Sequence, residues 1–166
     1  MVARAGSGDT RTWRAPGRIN VIGDHTDYQE GLCLPMAIDR ECRVAVGPPA
    51  TADAVTAGSA QMPGTVTVAA GGTTDPASVT PDWGRFVAGA VAACVDRGVA
   101  VPACSLTISS TVPAGSGLSS SSALSVALVV AFADLAGASL DASSWPASRS
   151  TPRCGPRESP AGCSTR

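Results

Sequence analysis

The sequence predicts an α+β domain, and three observations carry that reading. Several short stretches, "RINVIG", "CRVAVGP", "TVTVAA" and "CSLTISSTV", are β-rich and extended, some of them alternating. Two others, "PDWGRFVAGAVAACVDRG" and the run from Ser120 to Ala136, are long and helical in character. At 166 residues, 44% apolar and 15% charged, the chain is sufficient for one domain with a real core.

Taken in order, residues 1–12 read as a loose N-terminal arm. A strand is expected from Arg18 to Ile22, broken by Gly23, with the polar cluster Asp24 to Tyr28 forming a loop or short turn. "LCLPMAI" resumes an extended apolar run, and "CRVAVGP" follows as a further strand. The small, polar stretch from Ala50 to Gly64 reads as loop, and "TVTVAA" as a short strand. Trp83, Phe86, Val87, Ala90, Val91 and Cys94 fall on one helical face, and Gly98 stops that helix. "CSLTISSTV" is a strand leading into "PAGSGLSSSS". The helix beyond it is apolar nearly all round, which implies burial on several faces, and Gly137 suits its C-terminal cap. Residues 142–166 are rich in Pro, Ser, Arg and Gly without an apolar period and read as an aberrant, disordered tail.

Composition removes several classes of function. The formal net charge of -1 offers no basic field for nucleic acid or anionic lipid. The N-terminus lacks an apolar signal region, and "ALSVALVVAFADLAG" is too short to span a bilayer, so a cytoplasmic protein is expected. The six cysteines, Cys33, Cys42, Cys94, Cys104, Cys154 and Cys163, show no C-x-x-C spacing. They read as small buried hydrophobes plus two tail residues rather than as a disulfide framework. All twelve basic residues are arginine. Without lysine there is no P-loop NTPase, no protein kinase of the strand-lysine type and no Schiff-base catalyst.

Two stretches carry chemistry. In "VPAGSGLSSSSAL" a strand runs through a glycine-rich loop into a helix start. Gly115 and Gly117 let backbone approach a ligand, and the first helical turn offers unpaired amides and a dipole that favours an anion. Ser119 to Ser122 add hydroxyls for phosphate oxygens or a magnesium ion. The bland alternative is a serine N-cap after a flexible turn. A G-x-S-x-G nucleophile elbow does not fit, because no serine sits between suitably spaced glycines. The second stretch, "GRINVIGDHTDY", brings together Arg18, Asp24, His25, Asp27 and Tyr28, with the only histidine and only tyrosine of the chain. Carboxylates and imidazole bind several hydroxyls at once, as a sugar ring demands, and an arginine stabilises charge on a transferring phosphoryl group. Here the alternative is a polar turn capped by Asp24 or Asp27, with Arg18 in a surface ion pair.

"PGRINVIGDHTDYQEGLCLPMAID" resembles the galactokinase signature, usually G-R-x-N-x-I-G-E-H-x-D-Y, and "VPAGSGLSSSSAL" resembles the phosphate-binding motif of the GHMP sugar and metabolite kinases. The likeness covers roughly residues 13–141. It implies a GHMP kinase N-terminal domain (ribosomal protein S5 domain 2-like), without the C-terminal domain. The implied activity is transfer of the ATP γ-phosphate to the anomeric hydroxyl of galactose, with ATP and Mg2+. The resemblance gives Arg18 the role of stabilising the transition state. It gives Asp24, His25 and Asp27 the hexose hydroxyls, with Tyr28 alongside. Gly115, Ser116, Gly117, Leu118, Ser119, Ser120 and Ser121 would wrap the ATP phosphates, and Ser121 would ligate magnesium. Asp24 stands where the family usually has Glu, one methylene longer, which bears on the choice of sugar.

The family's general-base aspartate and second magnesium-ligating glutamate, which follow the phosphate loop, have no counterpart here. A frameshift is expected to account for this, since with suitable codon third positions another frame across residues 144–166 would encode a helix bearing a glutamate and then a Gly-rich turn with Asp-Gln; the alternative is a native disordered tail. The chain by itself is therefore expected to be an inactive fragment. A non-catalytic sugar or nucleotide sensor is the alternative from another class, and a kinase of a different monosaccharide is a third reading.

Overall fold

The computed structural model describes residues 3–5, 11–23 and 31–140 of the chain. Its strands are β1 (Ala3–Ala5), β2 (Arg11–Ile22), β3 (Leu34–Gly47), β4 (Ala54–Ser59), β5 (Thr65–Ala69) and β6 (Cys104–Ser110), and its α-helices are α1 (Gly84–Val95) and α2 (Ser120–Leu135). The strands form one sheet in the order β1-β2-β3-β6-β4-β5. All neighbours are antiparallel except β4 and β6, which run parallel. A parallel pair needs a crossover, and the chain makes it through β5 and α1.

Period-two alternation decides which face is packed. Trp13 and Ala15 on β2, Cys42, Val44 and Val46 on β3, and Leu106 and Ile108 on β6 are all buried. Register lines them up in rows across the sheet: Trp13 opposite Val44, Val44 opposite Ile108, and Val46 opposite Leu106. Val55 and Ala57 of β4 and Val66 and Val68 of β5 extend the same apolar face. Both helices cover it, α2 against β2 and β3, α1 against β5, and each against the other. This accounts for the apolar character of α2: Leu128, Ala131 and Phe132 are fully buried, and its charged residue Asp134 reaches Arg11 at 3.8 Å. The opposite sheet face is polar. There Arg14 and Arg43 lie directly across from each other, and Glu41 holds both, at 3.6 Å and 2.6 Å. One carboxylate thus offsets a like-charge pair that would otherwise repel.

The elements differ from expectation in four places. Strand structure enters the stretch read as a loose arm: Ala3–Ala5 pairs with β2, and β2 begins at Arg11, because Trp13 supplies a large buried anchor ahead of Arg18. "LCLPMAI" and "CRVAVGP" fuse into one strand, β3, held along its length by β2. Ala50 to Gly64 is not wholly loop, since it contains β4, a short strand in which Val55 and Ala57 are buried and Val55 is the one large apolar side chain. Cys33 is exposed, whereas Cys42, Cys94 and Cys104 are buried and free. The loop Asp24 to Tyr28 and the tail from residue 142 lie outside the described residues. No helix among the described residues is long and apolar enough to cross a membrane.

Candidate active site

β6 ends at Ser110, and the chain then leaves the sheet. At the point of departure the Thr111 amide donates to the Glu41 carbonyl at 2.9 Å, and the Glu41 amide donates to Thr111 Oγ1, also at 2.9 Å. On its other side Glu41 is paired with Pro16, which has no N–H. Val112 turns inward and is buried, and residues 113–117 stand exposed.

This exposed loop is built from left-handed backbone. Gly115 and Gly117 have φ of 72° and 75°, and Ser119 has φ of 60°. Ser119 is the one non-glycine residue with positive φ among the described residues, a conformation that costs an L-residue about 1–2 kcal/mol. Ser116 Oγ donates to the Pro113 carbonyl at 2.8 Å and steadies the turn.

Ser119 occupies the N-cap position of α2, yet its hydroxyl makes no capping hydrogen bond. The bland reading of the serine run therefore fails at the residue that would have to bear it. The first bond of the helix runs from the Ala123 amide to the Ser119 carbonyl at 2.9 Å, so the amides of Ser120, Ser121 and Ser122 precede it. The first turn carries no acidic residue, and Ser121 and Ser122 are exposed. A sixteen-residue helix mouth with free amides, hydroxyls and no negative charge suits a polyphosphate. It also suits a magnesium ion that shares serine and phosphate oxygens, because that ion takes oxygen ligands and commonly keeps a nucleotide's own. Among the described residues there is no group of three or more His, Cys, Asp or Glu able to hold a metal ion without such a ligand.

Arg18 comes from the far end of the sequence to the same place. β2 changes register between Pro16 and Arg18, and the Arg18 amide donates to the Leu118 carbonyl at 3.1 Å. Its side chain is exposed. Gly17 is buried beneath the loop: a Cβ there would lie 2.9 Å from the Leu118 carbonyl oxygen and 3.1 Å from both Ile38 Cδ1 and Val112 Cγ2. The structure thus brings Arg18 together with Gly115, Ser116, Gly117, Leu118, Ser119, Ser120 and Ser121. Asp24, His25, Asp27 and Tyr28 fall outside the described residues, in the segment that joins Ile22 to Leu34. Thr111, Glu41 and Gly17 were not singled out from sequence. The available signal was that Thr111 is the last residue before "VP" and that Gly17 is the first residue of the G-R-x-N signature, though it was given no role there.

The buried thiols take no part. Burial pushes Cys42 and Cys104 up to about 11, and does the same to Cys94 despite the opposing influence of Arg97. A thiol held protonated is a poor nucleophile.

A mixed sheet backed by two helices, with a glycine- and serine-rich loop opening a buried helix, defines a GHMP kinase N-terminal domain. Residues 85–145 match the GHMP kinases N terminal domain. The fold also resembles mevalonate kinase of Methanococcus jannaschii, with a TM-score of 0.65 at 16% identity over 78% of this chain and 41% of that one. Within this class the assignment narrows. Residues 3–48 match the galactokinase galactose-binding signature. The chain is 40% identical over 132 residues to a galactokinase of Mycobacterium bovis, covering 80% of this chain and 35% of that protein. It is 34% identical over 121 residues to a galactokinase of Thermotoga petrophila, covering 73% and 32%. The structure of Lactococcus lactis galactokinase complexed with galactose matches with a TM-score of 0.70 and 26% identity, over 80% of this chain and 34% of that one. The chain belongs to the galactokinase family. It spans about a third of the length of the curated relatives it matches.

Proposed function

We propose that this chain is the sugar- and nucleotide-binding part of a cytoplasmic galactokinase, which transfers the ATP γ-phosphate to the anomeric hydroxyl of galactose. The single observation that carries this reading is the hydrogen bond from the Arg18 amide to the Leu118 carbonyl at 3.1 Å. It joins the strand leading into the acidic segment to the loop leading into the serine-lined helix. A phosphoryl donor and a hydroxyl acceptor must be held within reach of each other, and most of the catalysis of such a transfer is positioning and charge stabilisation.

In this reading Asp24, His25, Asp27 and Tyr28 hold the sugar hydroxyls. The amides and hydroxyls from Gly115 to Ser121 hold the phosphates. Arg18, exposed beside that loop, stabilises charge on the transferring group. Ser121 would hold Mg2+, which neutralises phosphate charge when bound. No aspartate stands between the loop and Asp134, which is paired with Arg11, so no described residue beyond the loop takes the part of a general base. The chain alone is accordingly a binding fragment without turnover.

Calorimetry with galactose, with and without Mg-ATP, beside a coupled ADP-release assay, tests this. Binding of both ligands without ADP release is expected. Normal turnover would overturn the fragment reading, and silence toward both ligands would overturn the site. A sensor is the second reading, suited by the two binding motifs; useful galactose affinity in the absence of nucleotide would support it. Asp24 in place of the usual Glu favours a panel of hexoses and pentoses in the same titration, in which tighter binding of another sugar would reassign the substrate.

A further inference from the structure

Both ends of the phosphate loop are fastened to the same pair of strands. At the entry, Thr111 exchanges hydrogen bonds with Glu41 of β3. At the exit, Leu118 accepts from Arg18 of β2 and lies over Gly17. We propose that Thr111 and Gly17 are positioning residues that set where the phosphate loop stands relative to the β2–β3 hairpin. This rests on the kinase reading above and assigns it two residues that touch neither ligand.

The entry fastening is a substitution within the ladder. Cys42 pairs with Ser110, so the next rung would join Glu41 to Thr111 by two main-chain bonds. The Thr111 amide makes its bond to Glu41, but the chain is already turning toward Val112. The hydroxyl of Thr111 accepts the Glu41 amide at 2.9 Å in place of the carbonyl. The rung is completed while the backbone departs. A valine has the shape of threonine and would leave that amide without this acceptor, whereas a serine would keep it.

The exit fastening depends on an absent side chain. At Gly17 a methyl group would press on the Leu118 carbonyl oxygen at 2.9 Å, a contact that real Cβ atoms make only when something shifts. The same methyl would crowd Ile38 Cδ1 and Val112 Cγ2 at 3.1 Å, but these are side-chain atoms that a truncation removes. The carbonyl is main chain, and it is the one that holds Arg18. Moving it moves the start of α2 with it.

Two measurements on the whole chain test this: amide hydrogen exchange across residues 112–122, and calorimetric binding of Mg-ADP. Thr111→Val should speed loop exchange and weaken Mg-ADP by about five- to tenfold, the loss expected for one hydrogen bond. Thr111→Ser should stay within about twofold of the parent in both. Gly17→Ala should speed loop exchange, and adding Val112→Ala should not restore it. Unchanged exchange in Thr111→Val, or equal damage in Thr111→Ser, would overturn the entry fastening. Full rescue of Gly17→Ala by Val112→Ala would overturn the exit one. If the parent chain ignores Mg-ADP, the nucleotide reading fails, and the exchange arm still decides whether these residues hold the loop.

Discussion

The two helices start in the same layer, neither with a side-chain cap, and their first turns have opposite fates. At α1 the amides of Gly84, Arg85 and Phe86 are already spent on the carbonyls of Pro81, Asp82 and Trp83, at 2.8, 3.2 and 3.3 Å. Trp83 closes that end, buried, with its indole N–H on the Pro63 carbonyl at 3.1 Å. Gly84 lies so close to Val66 and Val79 that no Cβ fits. Asp82 stands in front, paired with Arg85 at 3.0 Å. At α2 the corresponding amides follow a left-handed serine and face an exposed glycine loop without an acid. Every helix begins with orphan donors. What makes one start a site is that the surrounding chain neither consumes nor covers them.

The largest expected effect comes from the packed side of this contrast. Cys42, Cys94 and Cys104 are raised from 9.0 to about 11 by burial. Between those values the unfolded chain has released protons that the folded chain keeps, so stability falls as pH rises. Below pH 9 this contribution is fully present. Chemical denaturation from pH 8 to 11 should show a loss of a few kcal/mol, since a tenfold difference in a thiol's proton affinity between folded and unfolded chain is worth about 1.4 kcal/mol. A flat profile would mean the thiols are wetter than the packing implies.

Next, Gly84→Ala should cost about 1–3 kcal/mol in urea unfolding, the usual range for overpacking. Gly115→Ala meets open space and bears only the left-handed conformation, so its cost should stop near 1 kcal/mol. Equal costs for these two glycines would break the comparison. The smallest stability change belongs to Ser122→Asp. A carboxylate in the first turn should stabilise α2 by about 0.3–1 kcal/mol while repelling Mg-ADP. A stabilised variant that binds Mg-ADP as tightly as the parent would show that the mouth does not receive phosphates.

Much of this layout was legible from residues. Trp83, Val87, Ala90, Val91 and Cys94 mark α1 because they are both periodic and apolar, and the core uses them that way. β4 escaped because its alternation in burial rests on Val55 and the small Ala57 alone, too few bulky residues to show as a pattern. The beginning of β2 escaped because arginines flank Trp13 and mask its burial. Both chemical stretches stood out, and their adjacency was expected only through the family resemblance. It depends on β6 lying next to β3, a long-range pairing that local pattern does not encode. Thr111 was invisible for the same reason, as its value lies in accepting the Glu41 amide across that pairing.

β3 outlasts its neighbour. β6 accompanies it only from Cys42 to Gly47 and Thr111 completes the rung at Glu41, so among the described residues the stretch from Leu34 to Arg40 has a strand on the β2 side alone. Ile22, Leu34 and Met36 stand 70%, 60% and 50% exposed along that overhang. Open main-chain groups beside bare aliphatic side chains form a self-templating seam, the kind on which other chains add strand upon strand. Pro35 interrupts the row of donors, and Asp39 and Arg40 bring charge to it, which are the ordinary guards of such an edge. Held concentrated and warm, this polypeptide is expected to precipitate from the seam outward before its core melts, and a second proline or a lysine placed at Met36 should delay the turbidity.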